Sequence, residues 1–431
     1  MPDSLDVVDE PAAERHASWL ELFFDLIVVA GVGQLAHLLH TGPTWAALGE
    51  YGLLFLAFWS VWVMFTMYGN VAQDRARTLV VIVAMFGMAV MAAAVPGVRE
   101  SDEKAFAFAL AYVVVRTIAS RAANRPGQVV VDLPILQLSG GLVPWIVSLW
   151  VHGDGRLWLW ALGLAIDVFV MVRVSRAGMQ EAVDEHWDQA RERVQRRLEQ
   201  EERRADAGRP ARDIGERGRR ALQKPELVTA DLAHLSERLG LFVLIVLGEG
   251  LVQSVDAAGE AEWNGSVRIV AVGAFAILVL VWALALLGGA HGLPLLAPEA
   301  LPVHLVLPLH CLFAGAVAAL AAVLGRAVAD ADSALPGPAR MLLGAVVALI
   351  LVTAAVCARA AGRGWGWTAG AVLPALVVAG LLIVGQGPTV SEGLGTGQAV
   401  VLAAFAVGWP VAWRARRDAQ ASPMRTSTQD H

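Results

Sequence analysis

The chain has 431 residues, of which 57% are hydrophobic and 17% are charged, and its formal net charge is −6 at pH 7. Soluble domains carry about 25% charged residues, so a soluble protein of this length would lack polar surface. The hydrophobic residues also form blocks of the roughly 18 residues that span a bilayer. Composition therefore predicts an all-α polytopic membrane protein in contact with lipid. It argues against a nucleic-acid binder, a cytosolic enzyme and a secreted disulfide scaffold.

The apolar blocks predict a transmembrane helical bundle of about twelve spans, with short turns between all but the sixth and seventh. Prolines inside several blocks are compatible with spans, because neighbouring helices can satisfy the freed backbone groups. The predicted spans are 17–40, 44–68, 78–98, 104–123, 129–150, 156–176, 229–254, 267–290, 301–326, 340–360, 366–386 and 397–413.

Basic residues indicate the orientation of these spans. With the N-terminus inside, alternate loops and the C-terminal tail are rich in arginine, and the opposite loops are acidic or lack basic residues. The positive-inside rule then predicts cytoplasmic termini and an even number of spans. Tryptophans near span ends fit interfacial anchors: Trp45, Trp145, Trp150, Trp158, Trp365 and Trp413.

The long connection divides the chain into four predicted parts. They are a six-helix half (1–176), a charged cytoplasmic linker (177–228), a second six-helix half (229–414) and a disordered cytoplasmic tail (415–431). The linker contains an apolar stripe at helical spacing. This pattern fits a solvated extension of the sixth span followed by a flexible segment, or an amphipathic helix on the anionic inner leaflet.

The two halves have the same predicted direction, which is typical of parallel repeats in some transporters. The segment ELFFDLIVVAGVG at 21–33 aligns with ERLGLFVLIVLGE at 237–249. A 6+6 parallel repeat is therefore one reading of the architecture.

Two predicted spans contain most of the ionisable residues inside the bilayer. In the first, Glu21 and Asp25 share a helix face, and His37 lies toward the outer end. Charged groups in a membrane are costly unless they are paired or hydrated, so they are candidates for a substrate or proton site or for structural pairing.

The seventh span carries His234, Glu237, Arg238 and Glu249. Because both spans enter from the same side, the acidic pair of the first and Glu237 and Arg238 fall at similar depth. The sequence therefore predicts a central network in which Arg238 is the counter-ion of Asp25 or Glu21.

Three further intramembrane charges, Arg116, Asp132 and Asp167, each require a partner. Arg116 with Asp132 is the pair that adjacent spans would supply. No soluble catalytic motif occurs, so the sequence predicts no catalytic residue, no metal site and no cofactor.

Two strings resemble the bacterial low-temperature-requirement A family. They are WLELFFDL at 19–26, followed by QLAH at 34–37, and ERLGLF at 237–242, followed by LGE at 247–249. Tyr112 with Arg116 is similar to a third, looser family feature, and the resemblance covers about residues 14–410. It implies a multi-pass protein of the bacterial inner membrane, in a family named for growth at low temperature.

Three functions remain open. The first is a secondary-transporter-like carrier of a small molecule or ion, in which Asp25 or Glu249 takes up a proton, Arg238 holds an anionic group and His37 relays protons. The second is a stress or signalling component that acts through the linker. The third is a membrane-embedded enzyme that uses the same carboxylates as acid and base. Of these, a non-enzymatic carrier is expected.

Overall fold

The computed structural model describes residues 17–40, 44–72, 77–123, 128–137, 139–206, 224, 226–366, 368–369, 373, 376–377 and 380. In chain order the elements are α1 (Trp19–His40), α2 (Trp45–Ala72), α3 (Thr78–Ala94), α4 (Asp102–Ala123), β1 (Gln128–Val130), α5 (Leu142–Ser148), α6 (Asp154–Arg173), α7 (Arg176–Asp206), β2 (Glu226–Val228), α8 (Leu232–Glu260), α9 (Gly265–Trp282), α10 (Val303–Ala329) and α11 (Gly337–Ala360).

Eight helices in this described part of the chain are long and apolar enough to cross a membrane, namely α1, α2, α4, α6, α8, α9, α10 and α11. The shorter α3 is also apolar. The prediction of an all-α polytopic membrane protein is confirmed at this level. The predicted span 397–413 and tail 415–431, and most of the span 366–386, lie outside the described residues, so the count of twelve, the repeat and the position of the termini stay predictions.

Contacts between helix ends define two faces of the bundle. At the proximal face, where α1 begins, Asn70 near the end of α2 bonds the backbone of Asp231, which precedes α8. At the distal face, Arg156 of α6 bonds the carbonyl of Asp102 at the start of α4. The helices therefore run alternately between the two faces.

The segment predicted as the fifth span, 129–150, crosses between these faces without forming a continuous helix. It begins as β1, which pairs in parallel with β2, continues through a 3₁₀ turn at Pro134–Leu136 and ends as the short α5. Pro134 and the pair Gly140 and Gly141 interrupt any helix here. The predicted helical span is therefore wrong. Non-helical backbone at membrane depth is tolerated when protein covers it, and Leu133, Ile135 and Leu136 are buried.

The most buried helices are α2 and α10, which lie at the centre of the bundle. Exposed tryptophans lie at or near helix ends, where bilayer interfaces are enriched in tryptophan. Trp45, Trp150, Trp158 and Trp263 lie near the distal face, and Trp19 and Trp365 near the proximal face.

Two of the predicted interfacial tryptophans, Trp145 and Trp413, are not among these exposed side chains. Trp145 is fully buried, where its ring stacks on Trp160 at 4.8 Å and on Tyr112 at 3.9 Å, so its assignment as an anchor is wrong. Trp413 lies outside the described residues.

At its proximal end α9 continues into a π turn, Ala283–Leu287. The loop that follows contains two residues in the left-handed region, His291 with φ 57° and Leu295 with φ 60°. Side chains other than glycine rarely adopt this conformation, and a surrounding structure must hold it.

Candidate functional site

The site begins at the proximal end of α1, where a capping box holds Glu21. Ser18 Oγ accepts from the Glu21 amide at 3.3 Å, and Glu21 Oε2 accepts from the Ser18 amide at 2.8 Å. The other oxygen, Oε1, faces α2 at Gly69, where a Cβ would lie 2.9 Å from it. Because the Glu21 side chain is still 14% exposed, it forms the proximal mouth of the site.

One turn deeper, Asp25 pairs with Arg238 of α8. Asp25 Oδ1 accepts from Arg238 Nη2 at 2.7 Å and from Trp62 Nε1 at 2.7 Å. Arg238 Nη1 lies 3.9 Å from Glu21 Oε2. Of the two predicted counter-ions of Arg238, Asp25 is therefore the one that pairs with it directly, and both side chains of this pair are at most 1% exposed.

His234 joins the same cluster one turn before Arg238. Asn70 Nδ2 donates to the Asp231 carbonyl at 2.9 Å and lies 3.2 Å from His234 Nδ1, while Asn70 Oδ1 accepts from the Asp231 amide at 2.8 Å. Since the amide nitrogen Nδ2 can only donate, His234 Nδ1 is an acceptor and the ring proton of the neutral tautomer is on Nε2. That nitrogen faces Glu21 Oε2 at 3.6 Å, beyond direct hydrogen-bond length.

Aromatic rings close the cluster toward the centre of the bundle. Trp62 packs on Phe242 at 4.2 Å and stacks on His310 at 5.8 Å. His310 Nδ1 accepts from Trp59 Nε1 at 3.1 Å, and its Nε2 donates to the Leu239 carbonyl at 3.0 Å. His310 is therefore a neutral, fully bonded structural histidine whose tautomer its two partners determine.

The cluster has unused hydrogen-bonding capacity. Five of its buried atoms have no hydrogen-bond partner among the described residues: Glu21 Oε1, Asp25 Oδ2, His234 Nε2, Arg238 Nε and Arg238 Nη1. The cluster contains two carboxyl groups, one guanidinium and one imidazole. Buried groups of this kind are costly unless a proton, an ion or a polar ligand satisfies them.

Glu249 lies eleven residues beyond Arg238, about 16 Å along α8. Its carboxylate accepts from Gln253 at 3.0 Å and rests on α1 at Gly33, where a Cβ would lie 2.8 Å from Oε1. His37 is exposed and about 18 Å beyond Asp25 along α1. Both residues therefore lie toward the distal face, away from the cluster.

The predicted pair of Arg116 with Asp132 is wrong. Arg116 of α4 forms two hydrogen bonds with Asp167 of α6, and Arg116 Nη2 lies 2.5 Å from Asp167 Oδ1. Asp132 instead lies at the proximal face, where it accepts from Arg176 at 2.9 Å and from the Ala230 amide at 2.7 Å. Asp167 is the nearer partner of Arg116 because the broken crossing leaves Asp132 at the proximal face.

Glu237 occupies a different face of α8 from Arg238 and lines a cavity beside α9. Sequence reasoning missed two residues of the cluster, Trp62 and Asn70, both from α2. Trp59 and Trp62 lie in mid-span, where interfacial anchors do not occur, and Asn70 is a polar residue at a span end. Those two features were the available signals.

Comparison with known proteins bears on the identity of the chain. The family model described as bacterial low temperature requirement A protein (LtrA) matches residues 16–407. No curated protein and no solved structure matches the chain. The matched region covers most of the chain, and it includes every ionisable residue of the cluster: Glu21, Asp25, His234 and Arg238. The chain therefore belongs to the bacterial low temperature requirement A family.

Proposed function

We propose that this family member is a proton-coupled carrier and not an enzyme, with its coupling site at Asp25 and Arg238 between α1 and α8. The observation that supports this most is the make-up of the buried cluster, in which two carboxyl groups lie beside one arginine and five buried atoms have no hydrogen-bond partner among the described residues. A proton can therefore be taken up by one carboxyl group while the other remains as the counter-ion of Arg238. Glu21, partly exposed at the proximal face, provides the entry.

The geometry favours Asp25 Oδ2 as the proton acceptor. This oxygen is buried and has no hydrogen-bond partner among the described residues, while Oδ1 already accepts two hydrogen bonds. His234 Nδ1 accepts from Asn70 and is therefore less accessible to a proton. Protonation of Asp25 weakens its attraction to Arg238, whose guanidinium then has donors for an anionic group of a substrate.

The test is solute-driven proton movement in proteoliposomes. Purified full-length protein is reconstituted with pyranine in the lumen, and small carboxylates and amino acids are added outside. We expect at least one solute to change the lumenal pH, and Asp25→Asn to reduce that rate tenfold or more because the amide cannot take up the proton. Glu103→Gln, an exposed carboxylate at the distal face, serves as the matched control.

Elution volume and thermal stability distinguish loss of coupling from loss of folding. A folded Asp25→Asn variant that keeps the wild-type rate contradicts the proposal. So does a wild-type protein for which no solute changes the lumenal pH.

We propose the bacterial inner membrane as the location, with the proximal face in the cytoplasm. The arginine-rich loops and the charged helix α7 belong to that face, which is the pattern of cytoplasmic segments. Lipid contact follows from the membrane-spanning helices themselves.

A second candidate function is signalling through α7. The observation that favours it is the bridge at Asp132, whose carboxylate bonds both Arg176 at the start of α7 and Ala230 before α8. Because this carboxylate is bonded to both segments, a change in the tilt of α8 would be transmitted to α7. If deletion of residues 180–222 abolishes a cellular phenotype while solute-driven proton movement persists, α7 has this separate role.

A further inference from the structure

A cavity of about 570 Å³ lies beside α8, on a face next to the one that carries Arg238. Its walls are the first turns of α8, the π turn after α9 and the loop that follows. Small-molecule sites commonly have volumes of about 300–1,000 Å³. The cavity has this size, and it is separate from the Asp25 and Arg238 cluster.

The ionisable groups in the cavity wall are hydrogen-bond acceptors. Two are carboxylates, Glu237 of α8 and Glu299 of the loop. The third is His291, whose Nε2 donates to the Pro298 carbonyl at 2.9 Å, so that Nδ1 carries a lone pair. That nitrogen has no hydrogen-bond partner among the described residues, although the residue is only 7% exposed.

Burial lowers the pKa of His291, against a smaller opposing effect of its hydrogen bond to Pro298. The ring is therefore neutral near pH 7, and Nδ1 stays an acceptor. None of the fifteen described residues that line the cavity is a lysine or an arginine. The described lining therefore presents acceptors to a bound cation.

The backbone of the loop holds His291 in place. Its amide donates to Ser236 Oγ at 3.0 Å while φ lies in the left-handed region. The next residue, Gly292, approaches α8 so closely that a Cβ would lie 2.7 Å from the Leu239 carbonyl oxygen. The unpartnered nitrogen is thus part of a fixed wall, which is a requirement for recognising a ligand.

The rest of the wall is apolar. Leu241 and Leu244 of α8 and Leu286 of the π turn supply hydrocarbon surface. Leu244 is also exposed on the outside of the helix, so the cavity borders the surface that faces lipid.

We propose that this cavity binds an amphiphilic primary amine, with the ammonium group against Glu237, Glu299 and His291 Nδ1 and the hydrocarbon chain along the leucines. An ammonium group supplies three donors to a wall of acceptors. The amine comes from a free alkylamine or from the headgroup of an aminophospholipid.

The test uses the full-length protein in nonionic detergent and hexylamine as the probe. We expect hexylamine to raise the melting temperature in a saturable way, whereas hexanol and hexanoate, of equal chain length, do not. The double variant Glu237→Gln with Glu299→Gln should weaken hexylamine binding tenfold or more in calorimetric titration. Both side chains are partly exposed, so this variant should fold.

Two further variants test the role of His291 and whether carboxylates outside the cavity affect binding. His291→Phe keeps a planar ring but removes the acceptor, and it should also weaken hexylamine binding. Glu103→Gln removes a distal carboxylate and should leave binding unchanged. Equal effects of hexanol and hexylamine, or unchanged hexylamine binding in the double variant, would overturn the proposal.

Competition with hexylamine in nanodiscs distinguishes a lipid headgroup from a free amine as the natural ligand. If phosphatidylethanolamine, but not phosphatidylglycerol, competes with hexylamine, the natural ligand is a lipid headgroup; if neither competes, it is a free amine. Both results support the site. Failure of the amine-site proposal would leave the carrier proposal intact, because proton movement through Asp25 is measured without hexylamine.

Discussion

Two buried arginine and carboxylate pairs differ in how completely their atoms are bonded. Arg116 meets Asp167 with two nitrogens and Tyr112 with a bond of 2.7 Å, and only its Nε lacks a partner among the described residues. Arg238 meets Asp25 with one nitrogen, and two others lack a partner. The first pair is almost fully hydrogen-bonded, which suits a structural role. The second pair keeps two N–H groups without a partner among the described residues, so proton coupling should depend on the second pair alone.

This difference predicts opposite outcomes for paired neutral variants. Asp167→Asn alone leaves a buried guanidinium without its counter-ion and should cost about 3–5 kcal/mol of stability. Arg116→Gln together with Asp167→Asn should recover most of that loss and keep proton movement. Arg238→Gln with Asp25→Asn should fold but lose proton movement.

Thermal unfolding and the pyranine assay measure these two properties. If the neutral pair at Arg116 and Asp167 folds but moves no protons, the division between a structural and a functional pair is wrong.

At the scale of elements, the broken crossing places Asp132 where three elements meet. Its carboxylate lies at the end of β1, bonds Arg176 at the start of α7 and bonds the Ala230 amide between β2 and α8. The carboxylate is buried, whereas Arg176 is half-exposed. A single side chain therefore joins α7 to the proximal end of α8, which carries His234 and Arg238.

Asp132→Ala should loosen this junction. It leaves the Ala230 amide without an acceptor in a buried position, which costs about 1–3 kcal/mol. We expect faster hydrogen–deuterium exchange over residues 226–234 and a lower melting temperature.

Asp184→Ala is the matched control, because its bridge to Lys224 at 2.9 Å is half-exposed and contributes about 1 kcal/mol or less. Equal exchange in the two variants would contradict the role of Asp132 as the junction.

At the scale of the whole molecule, the two belts of exposed tryptophan give the thickness of the bundle but not its direction. The tryptophans do not distinguish the two sides of the membrane, because aromatic residues are enriched at both interfaces. Direction depends on the distribution of positive charge, from which we predict that the proximal face lies in the cytoplasm.

Cysteine labelling tests this orientation. Cys311 and Cys357 are both buried and are replaced by alanine to give a background for single cysteines. Glu103→Cys at the distal face should react with an impermeant maleimide in intact cells, and Thr78→Cys at the proximal face only after permeabilisation. The reverse pattern would place the cluster mouth outside the cell.

The sequence by itself determined the membrane class, nine of the helices and the family, and it predicted that Arg238 is the counter-ion of Asp25 or Glu21. It could do so because depth along a helix is a count of residues from the span end, and both residues lie at similar depth in spans that enter from the same face. Only the tertiary structure decided that Arg116 pairs with Asp167, that 129–150 crosses as a broken segment, that α2 supplies Trp62 and Asn70, and that Glu237 lines a separate cavity. Those features depend on which helices are neighbours and how each is rotated, and side-chain packing over the whole bundle determines both.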